Sequence, residues 1–316
     1  MIEEKDTRLP DGQVSIIIVS YNVKDLLCKC ISSVIACAGN LNYEVIVIDN
    51  DSKDGSPAAA KSLSSQIQII ENKFNAGFSA ANNQGIRIAK GRYIFLLNPD
   101  TEITGDAIQQ LKKYLSEHKS CAIVGPQLLN SDGSIQISTW KDHTSVDLIL
   151  ETFFLNRIFS ALNYPSQKLK TAFETKTLSG AALFFRKALT DKIGMLDEHL
   201  FWMEDIDLCY RAQKEGSIHY LHTAQVIHHS GQSQKKNYNL SIANQLLSKL
   251  KYYKKHSTIV AVCIAHISCF IFITTRIAAL SLLMPLNPIY KLKAQAYIYT
   301  LQRYLMYLFT NDKRLT

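Results

Sequence analysis

The chain has 316 residues, of which 47% are hydrophobic and 20% are charged. This length can hold one large domain, or a domain of about 230 to 250 residues with an appendage. The composition excludes a chain that is disordered throughout. The formal net charge of +8 is unevenly placed, because residues 1–230 carry −3 and residues 231–316 carry +11. Such a basic tail predicts an anionic partner, either lipid headgroups or nucleic acid.

The N-terminal residues and the cysteines indicate a cytoplasmic protein. The first twelve residues are acidic and polar, without the cationic and then apolar layout of a signal peptide. The seven cysteines are odd in number, and Cys28 and Cys30 lack the two-residue gap of zinc and redox motifs. We therefore expect reduced structural thiols.

Strands and helices alternate along the first 125 residues. Runs of β-branched and aliphatic residues stop at polar residues, as in buried parallel strands, and helix-length segments separate them. The expected strands are 14–19, 43–48, 67–70, 92–97 and 121–125, and the expected helices are 23–38, 77–89 and 106–116. This order predicts an α/β fold with a Rossmann-like, mostly parallel central sheet flanked by helices.

The pattern is less regular beyond residue 125. A turn at 130–133 precedes an expected short strand at 134–138, and residues 139–175 are expected to form a variable helical or loop insertion. The remaining expected elements are a strand at 177–186, a helix at 187–193 and short strands at 218–222 and 224–227.

Three groups of acids follow expected elements of the sheet: Asp49 with Asp51, Asp100, and the cluster Glu204-Asp205-Ile206-Asp207. A single aspartate after a strand is commonly a turn former or a helix cap. Several carboxylates at one sheet edge repel unless a cation neutralises them, which indicates a divalent metal. The sequence has neither the glycine fingerprint of dinucleotide dehydrogenases nor a P-loop, which argues against a dinucleotide dehydrogenase and against a P-loop enzyme.

Seven short motifs, taken in order, resemble those of the family 2 glycosyltransferases, and are most similar to the bacterial rhamnosyltransferase-like branch. They are residues 14–22; 47–52 with 54–56; 75–78 with Asn82 and Asn83; 97–100; Gly180-Ala181; 204–207; and His228. The resemblance implies a GT-A fold, a nucleotide-sugar donor, a divalent metal (Mn2+ or Mg2+) and inversion at the anomeric carbon.

The resemblance also implies a site for the donor, which would be a dTDP- or UDP-sugar with dTDP-rhamnose as the leading choice. The implied donor-binding residues are Ser20, Tyr21, Asn22, Asp49, Asp51, Asn75, Gly77, Phe78, Asn82, Asn83, Asn98, Gly180 and Ala181. Glycine at position 180 is expected to let the sugar approach the backbone closely, because it has no side chain.

Asp205 matches the family's catalytic base, which accepts the proton of the acceptor hydroxyl. Glu204 is expected to orient the acceptor or Asp205, and Asp207 is expected to cap the helix that follows. Asp100 matches the last acid of the metal-binding Asp-x-Asp motif, whose first position is Asn98 here. A second metal ligand is therefore needed, and His228 is the predicted one, because a neutral imidazole suits Mn2+. A buried structural histidine is the alternative.

The tail has an apolar stretch at 259–284 that is interrupted by Arg276 and has lysines on both sides. Basic segments beside a membrane helix tend to stay on the cytoplasmic side, and a single span would place one of the two lysine-bearing flanks outside. An in-plane helix or a re-entrant hairpin is therefore favoured over a single span. A buried helical subdomain or a dimer interface is the alternative. We expect a catalytic domain at 1–245 and a membrane-associating helical region at 246–316, on the cytoplasmic face of the inner (plasma) membrane.

These expectations lead to one hypothesis for the function. The chain would transfer a sugar to a lipid-linked glycan, such as a polyprenyl diphosphate saccharide, in the synthesis of a cell-envelope polysaccharide. Its partners would be the donor, this acceptor and an anionic membrane surface, without nucleic acid, and the C-terminal region could also form a homo-oligomer. Two alternatives stay open: a synthase that transfers sugar directly to polyprenyl phosphate, and a catalytically inactive membrane-binding scaffold.

Overall fold

A computed structural model of the chain describes residues 13–141, 149–150, 152, 170–229 and 238–310. These residues form two compact units. The first contains residues 13–141, 170–198 and 205–229, and the second contains 149, 150, 152, 199–204 and 238–310. Most of the expected insertion at 139–175 lies outside the described residues. The domain boundary at residue 245 stays a prediction.

The first unit is built on a sheet whose first part is parallel. The central strand β1 (Val14–Ser20) lies between β2 (Tyr43–Asp49) and β4 (Tyr93–Leu97), and β2 also pairs with β3 (Gln68–Glu71). Every residue of β1 is buried, because helices cover both faces of a parallel sheet and its side chains alternate between two apolar cores. The strands expected at 14–19, 43–48, 67–70 and 92–97 are confirmed to within about one residue.

Helices connect these parallel strands. They are α1 (Lys24–Cys37), α2 (Ser56–Leu63), α3 (Phe78–Ile88) and, after the short strand β5 (Thr101–Ile103), α4 (Ala107–Glu117). A Cβ on Gly85 would lie 2.5 Å from Ile17 Cγ2, so glycine at this position lets α3 pack closely on β1. The sequence did not predict α2 or β5, because a helix of eight residues and a strand of three show little periodicity.

The second part of the sheet is mixed. Strand β11 (Ala182–Arg186) runs antiparallel to both β4 and β6 (Cys121–Leu129), and β12 (Ser217–His228) is parallel to β6 and antiparallel to β5. The strands β7 (Ile135–Gln136) and β9 (Phe173–Thr175) pair with β6 and β12, while β8 (Thr139–Trp140) and β10 (Thr177–Leu178) form a separate pair. Across the described residues, the order of the main sheet is β3-β2-β1-β4-β11-β6-β12-β5.

Several of the expected strands after residue 125 differ from the structure. The segment 177–186 is divided into β10 and β11 by a turn at Gly180, and the segment 134–138 shortens to β7. The two short strands expected at 218–222 and 224–227 are one strand, β12, with an irregularity between Leu221 and Gln225. The polar residues His222 and Thr223 within this irregularity interrupt the apolar pattern, so the sequence suggested two strands instead of one.

The second unit contains three packed helices, α7 (Tyr238–His256), α8 (Ile259–Leu283) and α9 (Pro288–Thr310). Arg276 lies within α8 and is buried, and its guanidinium carbon is 3.4 Å from the centroid of the Phe272 ring. Arg276 Nη1 also donates to the carbonyl oxygens of Thr152 and Phe272, each at 3.3 Å. The charge that interrupts the apolar stretch is therefore compensated within this unit. Among the described residues, α8 alone has the length and apolar composition to cross a membrane.

The first unit also contains a buried ion pair. After α5 (Ala188–Ile193), the helix α6 (Glu204–Ala212) includes Asp207, which is fully buried and 2.8 Å from Arg211 Nη2. Arg211 also donates to the carbonyl oxygens of Gly194 and Met195, at 3.2 and 2.8 Å. Asp207 therefore lies inside the helix as the partner of Arg211, and the expectation that it caps the helix is wrong.

We expect Arg211→Met to lower the free energy of unfolding by about 3–5 kcal/mol, because the buried Asp207 carboxylate would lose its charged partner. The matched control is Arg87→Met, since Arg87 forms an exposed pair with Glu198 at 3.5 Å. Loss of that pair should cost less than about 1 kcal/mol. Urea unfolding followed by circular dichroism measures both, and equal losses in the two variants would contradict this account.

Candidate active site

The ends of β1 and β2 form the first part of the site. Ser20 and Asp49 are opposite each other in the parallel register, and both are buried. Asp49 Oδ2 accepts a hydrogen bond from the backbone N–H of Ser52 at 2.8 Å. Among the described residues, neither Asp49 Oδ1 nor Ser20 Oγ has a hydrogen-bond partner. Because a buried polar atom without a partner costs free energy, these two atoms are suited to receive a polar ligand.

The turns that follow β1 and β2 hold each other in place. The backbone N–H of Asn22 donates to Ser52 Oγ at 2.9 Å, and Asn22 Oδ1 accepts from the backbone N–H of Lys53 at 2.7 Å. Asn22 and Asp51 both have left-handed backbone angles, with φ of 54° and 69°. Tyr21 is exposed at this edge, and Asp51 pairs with Lys53.

The segment before α3 and the start of α3 carry the next predicted residues. Asn75 Oδ1 accepts from the backbone N–H of Gly77 at 2.9 Å, and Gly77 has a left-handed φ of 85°. Asn82 Nδ2 donates to the carbonyl oxygen of Phe78 at 3.0 Å, so its amide is tied to its own helix.

The amide of Asn83 makes a different kind of contact. Asn83 Nδ2 donates to the carbonyl oxygen of Leu196 at 2.9 Å and to Glu198 Oε1 at 2.8 Å, and Asn83 Oδ1 accepts from the backbone N–H of Leu196 at 3.0 Å. These bonds fasten α3 to the segment after α5. A nucleotide contact by Asn83 would require them to be exchanged, and it stays a prediction.

The end of β4 brings Asn98 and Asp100 to the same edge. Leu97 is opposite Ile18 of β1, and the backbone N–H of Asn98 donates to the carbonyl oxygen of Ala181 at 2.9 Å. Asn98 Oδ1 is buried and has no hydrogen-bond partner in the part of the chain that the structure describes. This strand end therefore lies between the residues that end β1 and the residues that precede β11.

Asp100 and His228, the two predicted metal ligands, lie close together, and their role as ligands stays a prediction. Asp100 is 9% exposed, and its Oδ1 is 3.4 Å from His228 Nε2. The other ring nitrogen, His228 Nδ1, is 2.8 Å from Gln136 Oε1. A carboxylate oxygen and an imidazole nitrogen are both suitable ligands for Mn2+, so this pair fits a divalent cation. The described residues contain no group of three or more His, Cys, Asp or Glu side chains placed for a metal.

The neighbouring His229 is arranged differently. Its Nδ1 is 2.7 Å from Ser131 Oγ, and its Nε2 is 2.7 Å from Glu102 Oε1. Both ring nitrogens are therefore engaged by other side chains. Its backbone N–H donates to the carbonyl oxygen of Asp100 at 2.8 Å, which fixes the chain beside the proposed cation. His228 is consequently the better ligand of the two.

Asp205 is held by two backbone N–H groups. Its Oδ2 accepts from Gly180 and its Oδ1 accepts from Ile206, each at 2.8 Å. A Cβ on Gly180 would lie 3.2 Å from Asp205 Cβ, so glycine also lets the backbone approach this carboxylate closely. Burial raises the pKa of the Asp205 carboxyl above its usual value, against the opposing effect of the two N–H groups. A raised pKa makes the carboxylate a stronger base. Glu204, the first residue of α6, is partly buried.

The sequence missed one residue that the structure brings to the site. Gln136 contacts His228, although 92 positions separate the two residues in the chain. A single amide in a two-residue strand has no periodicity or motif around it, so no sequence signal could have identified it.

Comparison with known protein families identifies the family to which this chain belongs. The family described as Glycosyl transferase family 2 matches residues 15–194, which is more than half of the chain. The chain belongs to this family. The matched region of this family 2 protein includes Asp49, Asp100 and Gly180, whereas Asp205 and His228 lie beyond it.

Curated relatives match this family 2 chain at modest identity. A low-salt glycan biosynthesis hexosyltransferase, Agl10 of Haloferax volcanii, is 28% identical over 67% of this chain and 64% of its own length. An N-acetylglucosaminyl-diphospho-decaprenol L-rhamnosyltransferase of Mycobacterium tuberculosis is 25% identical over 69% and 76%. Glycosyltransferase GlyA of Streptococcus pneumoniae is 33% identical over 37% and 17%. The matches thus span less than two thirds of GlyA and of Agl10.

Solved structures support the fold. The mannosyltransferase PcManGT from Pyrobaculum calidifontis, in complex with GDP-Man and Mn2+, has a TM-score of 0.56 at 14% identity and covers 95% of this chain and 88% of that one. TarS of S. aureus has a TM-score of 0.50 at 16% identity and covers 74% and 40%. The predicted α/β GT-A fold, with a mostly parallel sheet and a C-terminal apolar helix, is confirmed.

We expect the stability of Asp205→Asn, relative to that of the wild type, to be more favourable at pH 7 than at acidic pH. The folded-state pKa of Asp205 is raised. Between the usual aspartate pKa and this raised value, the folded chain therefore keeps a proton that the unfolded chain has released. Stability falls as the pH rises from the usual aspartate pKa through the raised value. This relative gain in the stability of the variant should therefore shrink at pH values below the usual aspartate pKa. Urea unfolding at acidic and neutral pH measures it, with the exposed Asp191→Asn as a control of small, constant effect. A larger gain at acidic pH would contradict the account.

Proposed function

We propose that the chain is an inverting glycosyltransferase that moves a sugar from a dTDP- or UDP-linked donor to a lipid-linked glycan in cell-envelope polysaccharide synthesis. Rhamnose is the leading donor sugar. The observation that carries the proposal is the arrangement of Asp49, Asp100 with His228, and Asp205 in the first compact unit. Of the relatives, the Mycobacterium tuberculosis protein is named for L-rhamnosyl transfer and a diphospho-decaprenol acceptor, and Agl10 is named for glycan biosynthesis.

The donor would bind along the edge where β1, β2 and β4 end. The unpartnered Asp49 Oδ1 can accept a hydrogen bond from a base N–H, and Ser20 Oγ and Asn98 Oδ1 supply further polar contacts. A divalent cation bound by Asp100 and His228 would offset negative charge on the donor diphosphate. The residues at this edge of the sheet would thus bind the nucleotide, the diphosphate and the cation.

Transfer with inversion would use Asp205 as the base. The acceptor hydroxyl oxygen forms a bond to the anomeric carbon as the bond from that carbon to the diphosphate oxygen breaks. The hydroxyl proton passes to the Asp205 carboxylate, and the nucleoside diphosphate leaves with the bonding electron pair. The two backbone N–H groups on Asp205 fix its orientation, and its raised pKa suits it to accept the proton.

The second unit would hold the enzyme at a membrane. Large apolar side chains are exposed on α8, on α9 and between them; those more than 60% exposed are Ile259, Val260, Ile267, Leu282, Leu286 and Phe309. Exposed apolar surface of this extent is typical of membrane or protein interaction sites. Lysines at 254, 255, 291 and 293 give this region the positive charge that anionic headgroups attract. A lipid-linked acceptor would be presented at that surface, on the cytoplasmic side.

We expect Asp205→Asn to lower kcat for transfer by about 10²- to 10⁴-fold, because it removes the base, and to leave nucleotide binding unchanged. The assay uses a panel of dTDP- and UDP-sugars with Mn2+ or Mg2+ and a polyprenyl-diphosphate-linked sugar, and calorimetry measures nucleotide affinity. The control is Asp191→Asn, which should retain full activity.

The same assay tests the proposed function. Equal activity of the wild type and Asp205→Asn would refute the role of this residue. Absence of metal-dependent transfer or donor hydrolysis across the panel would refute an enzyme and favour the inactive scaffold. Transfer to polyprenyl phosphate alone would favour the synthase alternative.

We expect the double variant Leu282→Asp, Leu286→Asp to bind anionic vesicles at least about tenfold more weakly, since burying one leucine stabilises by about 1.5–3 kcal/mol. Flotation with phosphatidylglycerol vesicles at low and high salt measures the effect. The control is Phe74→Asp, because Phe74 is 68% exposed in the first unit. Equal loss in both variants would contradict a specific membrane surface, and retention on DNA in place of flotation would indicate nucleic-acid binding.

A further inference from the structure

Gln136 is held in place by a short hydrogen-bonded turn. It lies in β7, opposite Leu128 of β6. Its Nε2 donates to Asn130 Oδ1 at 3.0 Å, and Asn130 Nδ2 donates to Ser134 Oγ at 2.9 Å. These two bonds direct the remaining amide atom, Gln136 Oε1, toward His228 Nδ1 at 2.8 Å. The turn therefore presents an acceptor, and not a donor, to the imidazole.

This contact determines which ring nitrogen of His228 carries hydrogen. An amide oxygen only accepts hydrogen bonds, so His228 Nδ1 must donate. In the neutral ring, Nε2 then carries a lone pair, and this atom is the one that lies 3.4 Å from Asp100 Oδ1. A metal ligand needs that lone pair, and ligating histidines commonly donate their other N–H to a carbonyl or carboxylate oxygen.

We propose that Gln136 is a positioning residue that sets the tautomer and ring orientation of His228 for the divalent cation shared with Asp100. The proposal rests on the proposed function, because it presumes that cation. In this role Gln136 acts through His228, and the partly buried setting of their hydrogen bond limits competition from water. A side chain without an acceptor at position 136 would free the ring to rotate and to exchange tautomers, which weakens the ligand.

The experiment measures Mn2+ affinity of the full-length chain by the electron paramagnetic resonance signal of free Mn2+, with UDP present and a protein-free UDP blank. We expect Gln136→Met, which has similar length and no comparable acceptor, to weaken Mn2+ binding by about 10- to 100-fold. Gln136→Glu keeps an acceptor oxygen and should restore affinity to near the wild-type value. Gln110→Met is the matched control, since the Gln110 amide bonds to Asp106, the residue that precedes α4.

A double-variant cycle separates positioning from folding. If Gln136 acts through His228, Gln136→Met should lose no further affinity in the His228→Ala background. Wild-type affinity in Gln136→Met would overturn the proposal, and so would equal losses in Gln136→Met and Gln136→Glu, or additive losses in the double variant. Absence of Mn2+ binding by the wild type would instead refute the cation in the proposed function, and the transfer assay would then decide whether the enzyme itself survives.

Discussion

The burial of β1 on both faces, between β2 and β4, is the constraint on which the site depends. Three neighbouring parallel strands with apolar interiors must end at one edge, and the first polar residues after them then lie side by side. Ser20 and Asp49 are direct neighbours in this register, and Asn98 follows one residue after the pair of Leu97 with Ile18. A shift in strand register would move these polar residues along the sheet and away from one another. The packing of the apolar side chains therefore also sets the spacing of the polar ones.

The antiparallel strand β11 completes the site from the other direction. Since it runs opposite to β4, its beginning lies beside the end of β4, and the backbone before it meets Asn98 through Ala181. The preceding residue, Gly180, donates to Asp205 and has no side chain to separate the two. One reversal of strand direction therefore links the proposed donor-binding edge to the proposed base.

The fold could be predicted from the sequence where apolar runs are long and clear. The site could be predicted only where the residues match motifs of a known family. Continuous apolar runs identified β1, β2 and β4, but α2 and β5 are too short to show a period. Family resemblance suggested Asp205 and His228 as site residues, and His228 Nε2 lies 3.4 Å from Asp100 Oδ1. The bond from Gly180 to Asp205 joins residues 25 positions apart, and the contact of Gln136 with His228 joins residues 92 apart. Such contacts follow from tertiary packing, which a single sequence does not contain.

Asn98 connects these observations through charge. With an amide in the place of the first acid, the proposed ligand set of Asp100 and neutral His228 contributes one negative charge, which leaves a divalent cation under-neutralised by the protein. The donor diphosphate would supply the remaining negative charge and ligands, so cation and donor would bind together more strongly than either alone. Burial is the principal cause of the raised pKa of Asp205. The amide at position 98 and the neutral imidazole of His228 would thus both make the donor diphosphate a necessary part of the proposed cation site.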